Sequence, residues 1–373
     1  MPQKSRIVFY GADEYAGALF SRRAHAAGLA HVAAGRDIAR VAAHANALGA
    51  GGLVEPRVFG LAHAGRIAAQ IDDACVLVNC ASPLHETMPP LLEACLATGT
   101  HYLDTGAGRA HVAALQARGG EAEKAGIVMT PGADFGFAAA NVVAMRLALL
   151  LPAARALTIV EKRGLPDRAG ARLLLAGLRM TGEVVKNGQL VAAKPASRTI
   201  MADLGAGVET AWLAPWWGGA VAARHRGPFS TLEAYRVLPP WLSRLARPGS
   251  FAHWRFRRGW GAGKLERRLT RGLEGPSEAD LARGKAVIWG EARTPDGRVR
   301  RARLETRDAH LYTADAARIL AAALARGGIE PGFRLPADVA GAALVDEIEG
   351  AVWRELGDPA ESLAPDPAAL AAH

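Results

Sequence analysis

Cysteine is scarce in this chain. Among 373 residues only Cys75, Cys80 and Cys95 carry a thiol, an odd number with neither a CxxC pair nor a neighbouring histidine cluster. This excludes a disulfide framework and a zinc site of the usual spacing, and a reduced, cytoplasmic setting is expected. No stretch is long and apolar enough to span a bilayer. The most apolar run, 137–151, is interrupted by Arg146 and stopped by Pro152, and it reads as a buried helix. A first strand expected from residue 6 leaves no room for a signal peptide. GxSxG and the P-loop pattern are missing, and no carboxylate pair stands in a glycosidase context. No helix-turn-helix, RRM, KH or zinc-finger pattern occurs, so nucleic acid is not an expected partner. No internal repeat is found.

What is present is a globular, alanine-rich pattern. Half of the residues are hydrophobic, and the length allows one large or two medium domains with a sizeable core. Short apolar strands at 6–10, 30–34, 75–80, 101–103 and 127–130, with another near 53–59, alternate with helical stretches. The helices are expected at 16–27, 38–48, 61–71, 89–98 and 109–125. Val76-Leu77-Val78 is the continuous apolar run of a parallel strand buried on both faces. Pro89 and Pro90 are assigned to a first helical turn, since they could not sit inside a helix. Alternating βα units predict a doubly wound, Rossmann-type parallel sheet over residues 1–130. Beyond residue 131 the texture changes. A strand at 157–162, a helix at 169–180, a hairpin at 183–191 and another turning at 295–297 predict an α+β domain over 131–310, built on a mostly antiparallel sheet. Residues 200–275 read as loops with short helices, and 313–326 as a helix. The segment 311–350 is expected to pack back on the first domain, and 355–373 to form a flexible tail.

The first strand runs straight into Gly11-Ala12-Asp13-Glu14-Tyr15-Ala16-Gly17 and then a helix. A turn in that setting binds dinucleotides, because glycines let the backbone and a helix N-terminus approach a pyrophosphate. Gly11, Ala12, Tyr15 and Gly17 are therefore the candidate cradle. A full pattern would read GxxGxxG, and its middle place is Glu14. A carboxylate about 4 Å from a phosphate charge costs roughly 4 kcal/mol at an effective dielectric near 20. That cost largely vanishes if the side chain turns away, since backbone amides hold the cofactor. The second strand ends in Gly35-Arg36. An acid there bonds a ribose 2′-OH, whereas an arginine accommodates a 2′-phosphate, so NADP (NADPH) is the expected cofactor. A solvated surface arginine is the alternative.

The stretch VLVNCASPLHETMPPLLEACLATGTHYLD resembles the saccharopine dehydrogenase-like oxidoreductases, a group that includes trans-acting enoyl reductases. Val78, Asn79, Cys80, Ala81, Pro83, Pro90, Glu93, Ala94, Cys95, Gly99, Thr100, His101, Tyr102 and Asp104 match that pattern without a gap. Pro131-Gly132-Ala133-Asp134-Phe135 resembles its PGxGFD, and Gly275-Pro276-Ser277 with the following WGEARTPDG resembles a further motif. The C-terminal stretch TADAARILAAALARGGIEPGFRLPADVAGAALVDEIEG extends the resemblance to nearly the whole chain. It implies an NAD(P)-binding Rossmann domain, a second sheet domain, and hydride transfer to a C=N or C=C bond. It also implies that Asn79, Cys80, Ala81, Ser82 and Pro83 lie against the nicotinamide ribose.

The departures cluster at cofactor- and substrate-facing places. The family's GATGYTG carries Glu14, its CAGPFxxYG loop has become 80–88 of this chain, and the aspartate of its PGxGFD is Gly136. For a proton donor, His85 lies in the loop beside the expected nicotinamide, and histidine titrates in the useful range. Tyr102 and Asp104 stand at the C-terminal end of a parallel strand, the edge where open α/β sheets place ligands. Each has a bland alternative: an exposed histidine, a core tyrosine, a helix-capping aspartate. Glu161 and Lys162 are lesser candidates.

The net charge of +9 is concentrated between residues 241 and 272, where nine Lys and Arg face the single acid Glu266. Aromatic residues are interleaved there. A solvated face is one reading. The other is contact with an anionic surface, coenzyme A or a phosphopantetheine arm. The expectation is an NADP-dependent reductase acting on a small-molecule or carrier-bound substrate. A non-redox descendant with a weakened dinucleotide site, and a carrier- or membrane-associated binding protein, are the alternatives. A homodimer through an edge of the second sheet is the oligomer considered.

Overall fold

The architecture is that of a computed structural model, which describes residues 4–49, 52–164, 166–215, 228–239, 242, 262–271 and 275–357. Seven strands form one parallel sheet: β1 (Arg6–Tyr10), β2 (His31–Gly35), β3 (Val54–Val58), β4 (Ala74–Asn79), β5 (His101–Asp104), β6 (Val128–Thr130) and β15 (Gly332–Phe333). Their order is β15-β6-β5-β4-β1-β2-β3, so the sense in which successive strands are added reverses between β1 and β4, while all strands stay parallel. The helices α1 (Tyr15–Ala26), α2 (Ile38–Ala47), α3 (Ala64–Ile71), α4 (Leu84–Thr98), α5 (Arg109–Ala117) and α6 (Gly119–Ala125) connect them.

The period of two decides which residue faces which layer. Ile7, Phe9, Val76, Val78 and Leu103 point to one face, where α1 and a later helix, α11 (Ala309–Arg326), cover them. Val8, Tyr10, Leu77, Tyr102 and Met129 point to the other, beneath α3, α4 and α6. Nearly every side of α7 (Phe135–Leu150) is apolar and buried, because it is packed between α11 and a second sheet. Arg23 on α1 grips Asp315 on α11 through two bonds of 3.0 and 2.7 Å.

The second sheet holds β7 (Ala156–Lys162), β8 (Gly182–Lys186), β9 (Gln189–Ala193), β10 (Thr199–Asp203), β11 (Val208–Leu213), β12 (Thr231–Arg236), β13 (Lys285–Arg293), β14 (Val299–Arg307) and β16 (Val352–Leu356). The main order is β10-β11-β12-β7-β13-β14-β16, and β8 joins β12 to β9. All its pairings are antiparallel except β12 with β7. Short helices α8 (Arg168–Gly177), α9 (Ala262–Thr270), α10 (Glu278–Arg283) and α12 (Pro336–Ala340), with a 3-10 turn at Ala342–Val345, complete the described elements. The β8–β9 hairpin turns at Asn187-Gly188, both left-handed with φ of 49° and 77°, a geometry glycine and asparagine tolerate best.

The structure corrects several expectations. Helix α4 begins at Leu84, five residues early, so Pro89 and Pro90 do lie inside it. The two carbonyls left without donors belong to His85 and Glu86, which are exposed, so water can take their place. The helix expected at 109–125 is broken at Arg118, where Gly119 and Gly120 follow and weaken helical continuity. Residues 200–275 hold three strands, β10 to β12, whose alternation is short and set among Trp, Pro and Gly. Helix α11 starts at Ala309 rather than 313, because Asp308 caps it by accepting from the His310 amide. Strand β16 reaches Leu356 through pairing with β14, two residues into the expected tail. Beyond Gly357 the tail lies outside the described residues, as does most of the basic stretch 241–272. Among the described residues no helix is long and apolar enough to cross a membrane, and no cluster of three or more candidate ligands could hold a metal ion.

Candidate functional site

The reversal of strand order opens a crevice outside the C-terminal ends of β1 and β4, the place where open parallel sheets take ligands. Two loops form its walls there, 11–14 after β1 and 80–83 after β4. Gly11 has φ of +104°, and a Cβ there would lie 2.7 Å from the Ala81 amide nitrogen. A Cβ on Gly17 would lie 2.2 Å from the Gly11 carbonyl oxygen. Both glycines let backbone meet backbone. The Gly11 and Ala12 amides each donate to the Ala34 carbonyl at 2.8 Å, which ties the loop to the end of β2.

The loop's acids take further donors. Asp13, buried, accepts from the Arg36 and Asp37 amides at 3.1 and 3.2 Å. Glu14 stands at the N-cap of α1 but caps none of its amides. Its carboxylate reaches across the crevice instead: Oε1 accepts from the Arg36 guanidinium at 2.9 Å and Oε2 from the Ser82 amide at 2.9 Å. Burial raises the Glu14 carboxyl above its usual range, against the opposite pull of the Ser82 amide and Arg36. Tyr15 turns away, its hydroxyl donating to the Pro276 carbonyl at 2.8 Å and its ring edge-on to His310.

The matching residues after β4 work largely inward. Asn79 Oδ1 accepts from the Ala81 amide at 3.2 Å, and its Nδ2 donates to Thr87 and to the Tyr102 hydroxyl. Cys80 is buried, and burial pushes its thiol well up. Pro83 caps α4. Tyr102 and Asp104 are both 0% exposed, so neither meets the crevice directly. Asp104 accepts from the Tyr102 hydroxyl at 2.9 Å, the Gly106 amide at 2.8 Å and His111 Nε2 at 2.7 Å. Burial disfavours the charged His111 imidazole, but the Asp104 carboxylate more than offsets this, so it titrates above the ordinary histidine range. His85 lies in the first turn of α4, not in the preceding loop, with an 80% exposed side chain near Glu86.

A second polar cluster faces the first sheet from the end of β7. Arg163 donates to Glu161 through Nε at 2.6 Å and to Asp134, the N-cap of α7, through Nη2 at 2.8 Å. Arg236, at the end of β12, lies 3.3 Å from the other Glu161 oxygen. Burial tends to raise the Asp134 carboxyl, but Arg163 outweighs it and holds the group below the usual range. Lys162 pairs with Glu209. Arg109 on α5 meets Glu183 on β8 at 2.7 Å.

The structure thus brings Gly11, Ala12, Glu14, Gly17, Arg36 and Ser82 together and leaves His85, Tyr15 and Asp104 apart from them. His111 and Arg163 escaped the sequence reading. His111 had a readable signal, since it opens the helix that follows the strand ending in Asp104. Arg163 had none, because its partner Asp134 lies 29 residues earlier.

No protein-family model matches the sequence, and no curated protein does. Among solved structures, a short-chain dehydrogenase/reductase family oxidoreductase from Burkholderia thailandensis covers 34% of the chain and 68% of its own, at 19% identity and a TM-score of 0.27. The type-2 3-hydroxyacyl-CoA dehydrogenase of Mycobacterium avium covers 34% and 72%, at 13% identity and a TM-score of 0.29. Likenesses that slight carry no weight. Apo saccharopine dehydrogenase (L-Glu forming) from Saccharomyces cerevisiae is different: it aligns over 95% of this chain and 100% of its own, with a TM-score of 0.69 at 11% identity. From the glycine turn to the second sheet, this chain has the fold of a saccharopine dehydrogenase.

Proposed function

We propose that this protein is an NADP-dependent reductase of the saccharopine dehydrogenase-like family, acting on a C=N or C=C bond. The observation that carries the reading is the position of Arg36. It closes β2 beside the glycine turn, within a fold that is shared with saccharopine dehydrogenase over almost the whole chain. The motif resemblance around Asn79 to Asp104 supports the same reading.

The residues present suit a nicotinamide dinucleotide in part. Gly11 and Gly17 build the tight turn, and the Glu14 side chain caps none of the amides that open α1, which suits them to a diphosphate. Arg36 suits a 2′-phosphate. Glu14 does not suit the group where it stands, because it ties Arg36 to Ser82 across the diphosphate track, so its carboxylate must swing out. When bound, the dinucleotide supplies a hydride. Asn79 fixes the loop that would back its ribose, and Asp104 fixes His111 at the strand end. Arg163 and Arg236 are balanced by Asp134 and Glu161, which leaves that cluster close to neutral.

The Glu14 bridge also favours a second reading, in which the crevice has lost its dinucleotide and serves a non-redox role. Fluorescence titration with NADPH and NADH, on the native protein and on Glu14→Gly, separates the two. Saturable NADPH binding tighter than NADH is the expected result. No NADPH binding by either protein at millimolar cofactor would end the reductase reading.

A further inference from the structure

Two acids of one loop hold four donors at the mouth of the crevice: Asp13 the amides of residues 36 and 37, Glu14 the Arg36 guanidinium and the Ser82 amide. An N-cap side chain ordinarily turns back to its own helix. Glu14 does not, and it spans two loops 22 and 68 residues away instead. A guanidinium fork and a backbone N–H are what a phosphate group seeks, and a carboxylate satisfies the same donors.

We propose that the Glu14 carboxylate is the resting occupant of an anion site formed by the Arg36 guanidinium and the Ser82 amide, and that a diphosphate or phosphate ester binds by taking its place. The proposal rests on reading the crevice as a nucleotide site, and goes beyond it by naming what the ligand displaces. Of the two acids only Glu14 is free to leave. Its side chain is 27% exposed and Arg36 is 48% exposed, whereas Asp13 is buried and holds the turn between β2 and α2.

Exchange has a quantitative consequence. The two bonds to Glu14 are solvent-exposed and are partly offset by desolvation of the carboxylate, so together they favour the closed arrangement by about tenfold. Apparent ligand affinity is lowered by about the same factor. The same exchange makes Arg36 serve twice, first Glu14 and then the ligand.

Calorimetric titration of the native protein, Glu14→Ala and Glu14→Gln with NADPH and with inorganic pyrophosphate tests the exchange. Residue 14 has φ of −113°, which alanine and glutamine adopt without strain, and melting curves check that each variant folds. Glu14→Ala is expected to bind both ligands about tenfold more tightly than the native protein, with Glu14→Gln between them. Arg36→Met in the Glu14→Ala background is expected to cancel the gain. Affinities within threefold of one another across the three proteins, or weaker binding by Glu14→Ala, would overturn the exchange and leave the dinucleotide reading standing. A gain for pyrophosphate with no NADPH binding by any protein would uphold the exchange and end the dinucleotide reading. Failure of all three proteins to bind either ligand would end both.

Discussion

Replacing Gly17 by alanine separates the two tasks a glycine can have in this turn. The added Cβ would sit 2.2 Å from the Gly11 carbonyl oxygen, 2.4 Å from its carbon and 2.8 Å from the Ala12 nitrogen. An ordinary close C···O approach is about 3.3 Å, so α1 must retreat by roughly 1 Å or the Gly11 carbonyl must turn. Retreat opens the packing of Leu19 and Phe20 against the first sheet. Turning breaks the 2.9 Å bond from the Glu14 amide to that carbonyl. Overpacking of about 1–3 kcal/mol and a lost turn bond of about 1 kcal/mol together predict a loss of roughly 2–4 kcal/mol. Gly28 is the control: its φ is +72° with nothing within 4 Å of an added Cβ, so Gly28→Ala carries only backbone strain of about 1–2 kcal/mol. Urea unfolding without ligand, followed by tryptophan fluorescence, measures both. The reasoning fails if Gly17→Ala is as stable as the native protein and loses only dinucleotide affinity, since the glycine would then serve the ligand and not the packing.

Other outcomes follow from the same geometry. Arg163→Met leaves Asp134 and Glu161 without their main partner and should cost about 3–5 kcal/mol in urea unfolding; a change under 1 kcal/mol would show that the cluster is not held by this arginine. Arg36→Met should lower NADPH affinity at least tenfold and NADH affinity by less, and equal losses for both would remove the 2′-phosphate assignment. Acidification should hold Glu14 in place. The charged and titratable groups around it are Arg36, Asp13, and the buried Tyr10 and Cys80, whose own values burial pushes up. A carboxyl raised by burial carries its desolvation cost only while ionised, so the closed position takes up a proton more readily than a carboxyl free in solvent and gains as pH falls through the raised value. Pyrophosphate titrations from pH 7 downwards should therefore widen the gap between native and Glu14→Ala affinities, beginning above the usual carboxylate range. A gap that closes on acidification would contradict this.

The fold was legible because its signals are local and redundant. Ile7 to Tyr10 and Val76 to Val78 declare strands buried on both faces, and Asn187-Gly188 declares a hairpin whatever surrounds it. Three strands between 200 and 275 were hidden because each has only two or three inward residues. Leu232 and Ala234 gain their meaning from β7, which lies more than seventy residues away in sequence. The candidate site was legible as a place and not as an arrangement. Strand ends locate the crevice, but which donor Glu14 takes depends on a guanidinium and a backbone amide brought to it from two other loops.

That difference limits what a motif can say about function. In a dinucleotide turn the first glycine permits the tight bend and the last permits helix against strand, whereas the middle one makes room for pyrophosphate. Here the first and last meet the chain's own backbone, Ala81 and Gly11 respectively, so the fold needs them with or without a ligand. The same holds for Asn79 and Tyr102, which bond to each other and to Thr87 and Asp104 within the interior. Their match to a family pattern therefore speaks for architecture. Only positions whose side chains face the crevice speak for chemistry, and there the pattern is met by Arg36 and broken by Glu14. Those two residues hold each other at 2.9 Å, so neither can be weighed alone: whatever opens the carboxylate also frees the guanidinium that would keep a phosphate in place.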